Sequence, residues 1–167
     1  FVTDGVYKDL KDLELSPKTS KYPADGKSFE RNTTPWVGDL KFKDISGPDG
    51  KPDGKIDDYD KTNIGSPMPK FTFGWTNTFR YKNFDLNIFI NGTYGNKVYN
   101  YMKMKLTHMN TLWSNQLKDV TGRARLEAIN PSKTYAAGSY WYTDISNVRV
   151  ANPGTSIPRA TITDPND

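Results

Sequence analysis

The sequence predicts a mainly β fold: a transmembrane antiparallel β-barrel hairpin flanked by long loops that carry short helices. Three observations predict it. Phe71, Phe73, Trp75, Phe79 and Tyr81 alternate with polar residues, and after Lys82-Asn83 so do Phe84, Leu86, Ile88 and Ile90. Each run is eleven residues long. That is about 36 Å of extended chain, or about 25 Å of height at a tilt near 45°. The flanks are polar and interrupted by Gly and Pro, and one of them holds a single stretch of helical period.

A two-residue turn at Lys82-Asn83 pairs Tyr81 with Phe84, Phe79 with Leu86, Trp75 with Ile90 and Phe71 with Tyr94. The two apolar sets then share one face. Aromatics sit at both ends of that face with aliphatics between, as girdles around a lipid belt require. Phe73, Trp75, Phe79, Leu86, Ile88 and Ile90 are the expected lipid-facing residues, with Asn77 as the one polar break. Thr76, Thr78, Arg80, Asp85 and Asn87 face a wet lumen.

The remaining elements follow in order. Residues 1–36 read as a polar loop segment, external to the cell, with a short helix near Tyr7–Leu15. Residues 37–70 hold a short strand within Val37–Ile45, an acidic Asp/Gly loop, and an extended lead-in whose Pro67 and Pro69 disfavour helix. Residues 71–94 are the transmembrane hairpin, with its periplasmic turn at 82–83 because such barrels keep short turns on that side. Residues 95–167 form a long external excursion. In it Met102, Leu106, Met109, Trp113, Leu117 and Val120 recur at steps of three and four, predicting a helix over about 101–120. A second, shorter helix is predicted over Arg123–Ile129, stopped by Asn130-Pro131.

Composition narrows function. The 167 residues are 35% hydrophobic and 13% aromatic, with no cysteine, so disulfides and thiolate metal sites are excluded. The net charge of +4 is spread along the chain without a basic run, which argues against nucleic-acid binding. The single histidine, His108, falls near the apolar stripe of the predicted helix and reads as a packing or surface residue. No nucleophile elbow or phosphate loop is present, and no carboxylate spacing nominates a glycosidase pair, so no enzyme is expected.

Asp49 to Asp60 places acidic residues at positions 1, 5, 9 and 12 of an EF-hand-like loop, with glycine at 6 and an aliphatic residue at 8. Asp49, Asp53, Asp57 and Asp60 would supply carboxylates and Lys55 its carbonyl to a structural calcium ion. Lys51 at position 3 and Asp at position 12 depart from the pattern, and an alternative frame starts at Asp44. The competing reading is a solvated turn in which Asp and Gly simply favour tight geometry. Tyr135, Tyr140, Trp141 and Tyr142 are candidate ligand or lid contacts, against the alternative that they pack their own loop.

Gly38 to Asp44, Asp53 to Asp60, Ile64-Gly65 with Pro67 and Pro69, Phe71 to Gly74, Tyr81 to Leu86, Gly92 and Tyr94 to Asn96 stand in an order that resembles the SusC/RagA family of TonB-linked outer-membrane proteins. Thr3 to Tyr7 resembles an earlier external segment of that family. Ile157-Pro158-Arg159 with Asp164-Pro165-Asn166 resembles the stretch before its last strands. The resemblance implies a late part of a large, plugged, TonB-dependent-receptor-type barrel of about 22 strands. It implies uptake of oligosaccharides or peptides under a SusD-like surface lipoprotein, in outer-membrane lipid. TonB would be engaged through an N-terminal region outside these residues. The family's acidic loop is a compact Asp-x-Asn-Gly-Asp-Gly run, which Pro48 to Lys51 interrupt here. The rival reading is a secreted, soluble carbohydrate-binding β-domain with a structural calcium, in which the apolar face packs on a second sheet.

Overall fold

The computed structural model describes residues 1–109 and 114–160. In chain order its elements are β1 (Thr3–Val6), α1 (Leu10–Leu15), β2 (Leu40–Phe42), β3 (Phe71–Tyr81), β4 (Phe84–Tyr94), α2 (Tyr101–Thr107), β5 (Leu126–Ala128) and β6 (Val148–Val150), with short 3-10 turns between. The strands form three two-stranded antiparallel sheets, β1-β2, β3-β4 and β5-β6. The fold is therefore mainly β, and no closed barrel forms among the described residues. The chain divides into two units, one of residues 1–62 with 102–167 and the other of residues 63–101.

The first unit joins the two ends of the chain. Val6, Trp36, Val37, Ala124, Val148 and Val150 form its core, with Phe29, Leu126, Trp141 and Ile145 packed around them. Backbone bonds lock the pieces together. Tyr7 donates to the Asp39 carbonyl at 3.0 Å, Gly38 to Tyr7 at 2.8 Å, Val150 to Lys8 at 2.8 Å and Arg159 to Gly38 at 2.8 Å. Among the described residues no strand of this unit exceeds four residues, so they hold together by packing and cross-links rather than by long ladders. Helix α1 is short because Asp9 caps its start, accepting from the Asp12 amide at 2.8 Å, while Ser16 closes its end on the Asp12 carbonyl. Only Leu13 of its residues is buried.

Two helical expectations change. Among the described residues of the helix expected over about 101–120, the α-helical part is α2, seven residues. The Leu106 carbonyl accepts from the Leu117 amide at 2.9 Å, so it is not continuing a helical ladder. The Thr107 hydroxyl also turns back onto the Lys103 carbonyl at 2.8 Å, a bond that competes with the helix. Val120 of the same periodic set is buried in a 3-10 turn, Lys118–Gly122, and Trp113 lies outside the described residues. The helix expected over Arg123–Ile129 is instead strand β5, because Val148–Val150 offers an antiparallel partner: Leu126 faces Val150, and Ala128 faces Val148. Tertiary pairing outweighs the weak local preference of seven residues.

The second unit is the hairpin. Strands β3 and β4 pair residue for residue from Phe71↔Tyr94 to Tyr81↔Phe84, the register the two-residue turn dictates. Lys82 takes the left-handed conformation (φ 51°) that a primed hairpin turn needs at its first position. Pairing continues beyond the strands, with Lys70 donating to Tyr94 at 2.8 Å and Lys97 to Ser66 at 2.7 Å.

Candidate functional site

Strand register sorts the hairpin into two chemically distinct faces. On one face lie Phe71, Phe73, Trp75, Asn77, Phe79 and Tyr81, opposite Tyr94, Gly92, Ile90, Ile88, Leu86 and Phe84 respectively. All six residues expected to face lipid are on it. Trp75 is 49% and Leu86 56% exposed, and Phe73, Phe79 and Ile90 are similarly open, whereas Ile88 is half-buried. Asn77 lies opposite Ile88 and is also half-buried. The other face is joined by polar cross-strand pairs, Thr78 Oγ1 to Asn87 Oδ1 at 2.6 Å and Arg80 Nε to Asp85 Oδ1 at 2.7 Å. Phe89 sits on this polar face opposite Thr76 and is exposed. Sequence reasoning passed over it, although its odd position in the alternation is the signal that assigns it there.

The acidic loop is drawn together by Asp60. Its side chain is fully buried, with Oδ1 accepting from the amides of Ile45 (2.6 Å) and Ser46 (3.2 Å) and Oδ2 from that of Asp57 (2.9 Å). Burial opposes its charge. The Asp57, Ile45 and Ser46 amides and the adjoining Asp44 carboxyl together outweigh it and hold the group below the usual aspartate range. Asp57 Oδ1 accepts from Tyr59 at 2.9 Å and Asp53 Oδ1 from Lys55 at 2.9 Å, both within their own turn. Asp49 makes no such bond, and among the described residues no three acidic or histidine side chains gather around one point. The frame of Asp49, Asp53, Lys55, Asp57 and Asp60 is thus not assembled. The alternative first residue, Asp44, is the one beside Asp60. Its Oδ2 accepts from Gly54 at 2.5 Å, and its Oδ1 is buried without a hydrogen-bond partner. Beside this loop a cavity of about 600 Å³ opens between Lys18–Gly26 and Lys55–Asp57.

The four candidate aromatic contacts divide. The Tyr135 hydroxyl donates to Asp144 Oδ2 at 3.2 Å and accepts from Asn147 Nδ2 at 2.7 Å, which ties it to its own loop. Trp141 packs against the core of the first unit. Tyr140 and Tyr142 stack at 5.2 Å with their planes 4° apart, and Trp141 meets Tyr142 edge-on at 5.8 Å. Trp141 and Tyr142 also wall a cavity of about 500 Å³ with Arg31, Arg123, Arg125 and Arg159. Sequence reasoning missed the arginines. The pair Arg123 and Arg125, two apart in an extended segment, is the one local sign of them.

Arg159 and Asp39 form the buried ionic contact of the first unit, 3% and 5% exposed at their side chains. Arg159 Nε lies 2.6 Å from Asp39 Oδ1, out of line for a hydrogen bond, while Nη2 donates to Oδ2 at 3.2 Å. Nη2 also donates to the Arg31 carbonyl at 2.5 Å, and Asp39 Oδ2 accepts from the Trp36 amide at 2.9 Å. Gly38 allows the approach, since a Cβ there would lie 3.3 Å from Arg159 Cβ and 3.1 Å from Leu126 Cδ2.

No protein-family pattern matches the chain, and no solved structure matches it. Among curated proteins it is similar to two from Formosa agariphila. TonB-dependent receptor P3 is 36% identical over 86 residues, which make up 48% of this chain and 8% of that protein. TonB-dependent receptor P26 is 40% identical over 74 residues, 44% of this chain and 7% of that protein. The chain therefore spans less than a tenth of the length of these relatives. What it shares with known proteins is a stretch of TonB-dependent receptors, and both relatives are named as receptors rather than enzymes.

Proposed function

We propose that the chain is a segment of a SusC/RagA-type TonB-dependent importer in the bacterial outer membrane, without enzymatic activity of its own. The observation that carries this reading is the hairpin: eleven-residue strands with one open apolar face and one polar face joined by Thr78–Asn87 and Arg80–Asp85. A two-stranded sheet is marginal alone, and its outer edges present unpaired amides and carbonyls. Neighbouring staves of a barrel would pair those edges, and outer-membrane lipid would cover Phe73, Trp75, Phe79, Leu86, Ile88 and Ile90. The similarity to two TonB-dependent receptors supports the same assignment. In this reading the first unit is surface machinery, working with a SusD-like lipoprotein to take up oligosaccharides or peptides. TonB acts through other parts of the protein.

The chain has no cysteine, so single cysteines can report environment. Leu86→Cys and Ile90→Cys on one face, and Thr76→Cys and Asn87→Cys on the other, would carry a fluorophore in membranes with brominated acyl chains. Quenching of the first pair and not the second is expected. Equal quenching on both faces, or none, would sink the lipid assignment. If the labelled chain is also soluble without detergent, the secreted carbohydrate-binding β-domain takes its place.

The proposal includes a structural calcium ion at Asp44 and Asp60 rather than at the five-residue frame. The two carboxyls adjoin, and the buried Asp44 Oδ1 lacks a hydrogen-bond partner. A hard divalent cation would supply that partner.

A further inference from the structure

We propose that the cavity walled by Arg31, Arg123, Arg125, Arg159, Trp141 and Tyr142 binds an oxyanion, a carboxylate or a sulfate, carried on a ligand about the size of one sugar ring. This inference does not depend on the membrane assignment, because every one of these residues belongs to the first unit.

The chemistry of the wall is one-sided. It holds four guanidinium groups and no carboxylate, and among the described residues only Arg159 of the four has an ion-pair partner, Asp39. Guanidinium groups are donors only, so each buried N–H requires an acceptor. Three such nitrogens are buried without a hydrogen bond: Nε of Arg31, and Nε and Nη1 of Arg159, whose Nε lies against the Asp39 carboxylate. Asp39 is already taken up by Nη2 of Arg159 and by the Trp36 amide. Buried donors are rarely left orphaned, and those that are mark a site where an acceptor is missing. Burial, and then the neighbouring Arg159 charge, disfavour the charged form of Arg31, and an arriving anion would favour it.

The geometry suits a forked acceptor. The Arg31 guanidinium lies over the Tyr142 ring at 5.0 Å, which fixes its plane. Ala124 is buried in the core, so Arg123 and Arg125 on either side of it turn outward together into the cavity. Their backbone is anchored, with the Ala124 amide donating to Ile157 at 2.9 Å and the Arg125 carbonyl accepting from Ala151 at 2.8 Å. Planar guanidinium forks match carboxylate and sulfate oxygens in pairs, whereas a neutral hydroxyl cannot use two donors at once. The volume of about 500 Å³ takes one ring, and Trp141 and Tyr142 in its wall supply apolar surface beside it.

The test is calorimetric titration of the full chain with inorganic sulfate, galacturonate and uncharged galactose. Galacturonate is expected to bind, galactose not, and sulfate to compete with galacturonate for one site. Binding of sulfate alone would show that the free anion suffices without a ring and would overturn the ring-sized part of the proposal. Arg125→Ala, at an exposed position, and Arg31→Gln should each weaken galacturonate by about tenfold or more. Arg31→Lys, which keeps the charge and loses the fork, should fall between. Thermal unfolding of each variant reports whether the fold is intact. Arg125→Ala keeps the test open if Arg31→Gln disturbs the core. Equal affinity for galactose and galacturonate, no binding of either anion, or unchanged affinity in the Arg125→Ala protein would overturn the proposal.

Discussion

Arg159 reaches back across most of the chain to Asp39, and the two side chains are among the most buried charged groups of the first unit. A buried ion pair is costly to desolvate but more costly to break, because the remaining charge is left uncompensated. Arg159→Met or Asp39→Asn should each lower unfolding free energy by about 3–5 kcal/mol. The double replacement Asp39→Asn with Arg159→Met should cost less than the sum of the single changes. Urea unfolding of the four proteins measures the cycle. Single losses below about 1 kcal/mol would mean that Asp39 and Arg159 behave as a surface pair.

Tyr7 gives this unit an alkaline limit. Its hydroxyl is pushed up to about 12, first by burial and then by the nearby charges of Asp39 and Asp12. An unfolded chain ionises the same phenol near 10. Between those values the unfolded state gains a charge that the folded state refuses. The stability contribution is therefore complete below pH 10 and disappears as pH rises through about 12. On the order of 2 kcal/mol is at stake. Thermal midpoints measured from pH 9 upward should fall less steeply in Tyr7→Phe than in the parent chain. Parallel curves would remove Tyr7 from the explanation.

The acid side has its own marker in Asp144. The Lys133 ammonium and the Ser146 hydroxyl donate to it, and these bonds hold its carboxyl at about 2. A depressed carboxyl stabilises the fold fully above the unfolded value near 3.9, and that contribution is lost as pH falls toward about 2. Asp144→Asn should flatten the decline of thermal stability between pH 4 and about pH 2. The effect will be modest, because Lys133 is open to solvent and screened.

The hairpin was legible because its information is local: period-two alternation and a two-residue turn determine Trp75↔Ile90 without reference to the rest of the chain. The first unit was not, because its pairings are short and remote. Thr3 meets Phe42, and Leu126 meets Val150, through strands of three or four residues that carry almost no alternation. Arg123–Ile129 looked helical for the same reason, since its strand partner is 20 residues away in sequence at the nearest pair, Ala128↔Val148. The arginine cavity was invisible because Arg31 and Arg159 stand at opposite ends of the chain. In the acidic loop the residue types were read correctly as turn-forming and oxygen-rich. Asp60, placed as the last ligand, spends its oxygens on three backbone amides, and that depends on how Ile45 and Ser46 fold back.

Calcium at Asp44 and Asp60 makes a separable prediction. Titration of the chelator-treated chain with calcium should release or absorb heat and raise the unfolding temperature, as any ligand of the native state does. Asp44→Asn should abolish the response while keeping the hydrogen bond from Gly54, since an amide oxygen still accepts. Asp60→Asn is less informative, because it disturbs the Ile45, Ser46 and Asp57 amides directly. Unfolding temperatures that ignore both chelator and calcium would leave the loop as a turn held by Asp60 alone.

Phe73 and Gly92 face each other across the hairpin, and a Cβ on Gly92 would come within 2.6 Å of the Phe73 ring. Glycine inside a strand is unfavourable by about 0.5–1 kcal/mol relative to alanine. The ring of Phe73 covers the gap that Gly92 leaves, so the two residues must be read together. Gly92→Ala alone gains strand preference but drives the ring off its seat, and the two effects should nearly cancel. In a Phe73→Ala background the clash is absent, and Gly92→Ala should stabilise by about 0.5–1 kcal/mol. Unfolding of the four proteins in detergent micelles gives the coupling. The same gain from Gly92→Ala in both backgrounds would mean that the ring does not rest on Gly92.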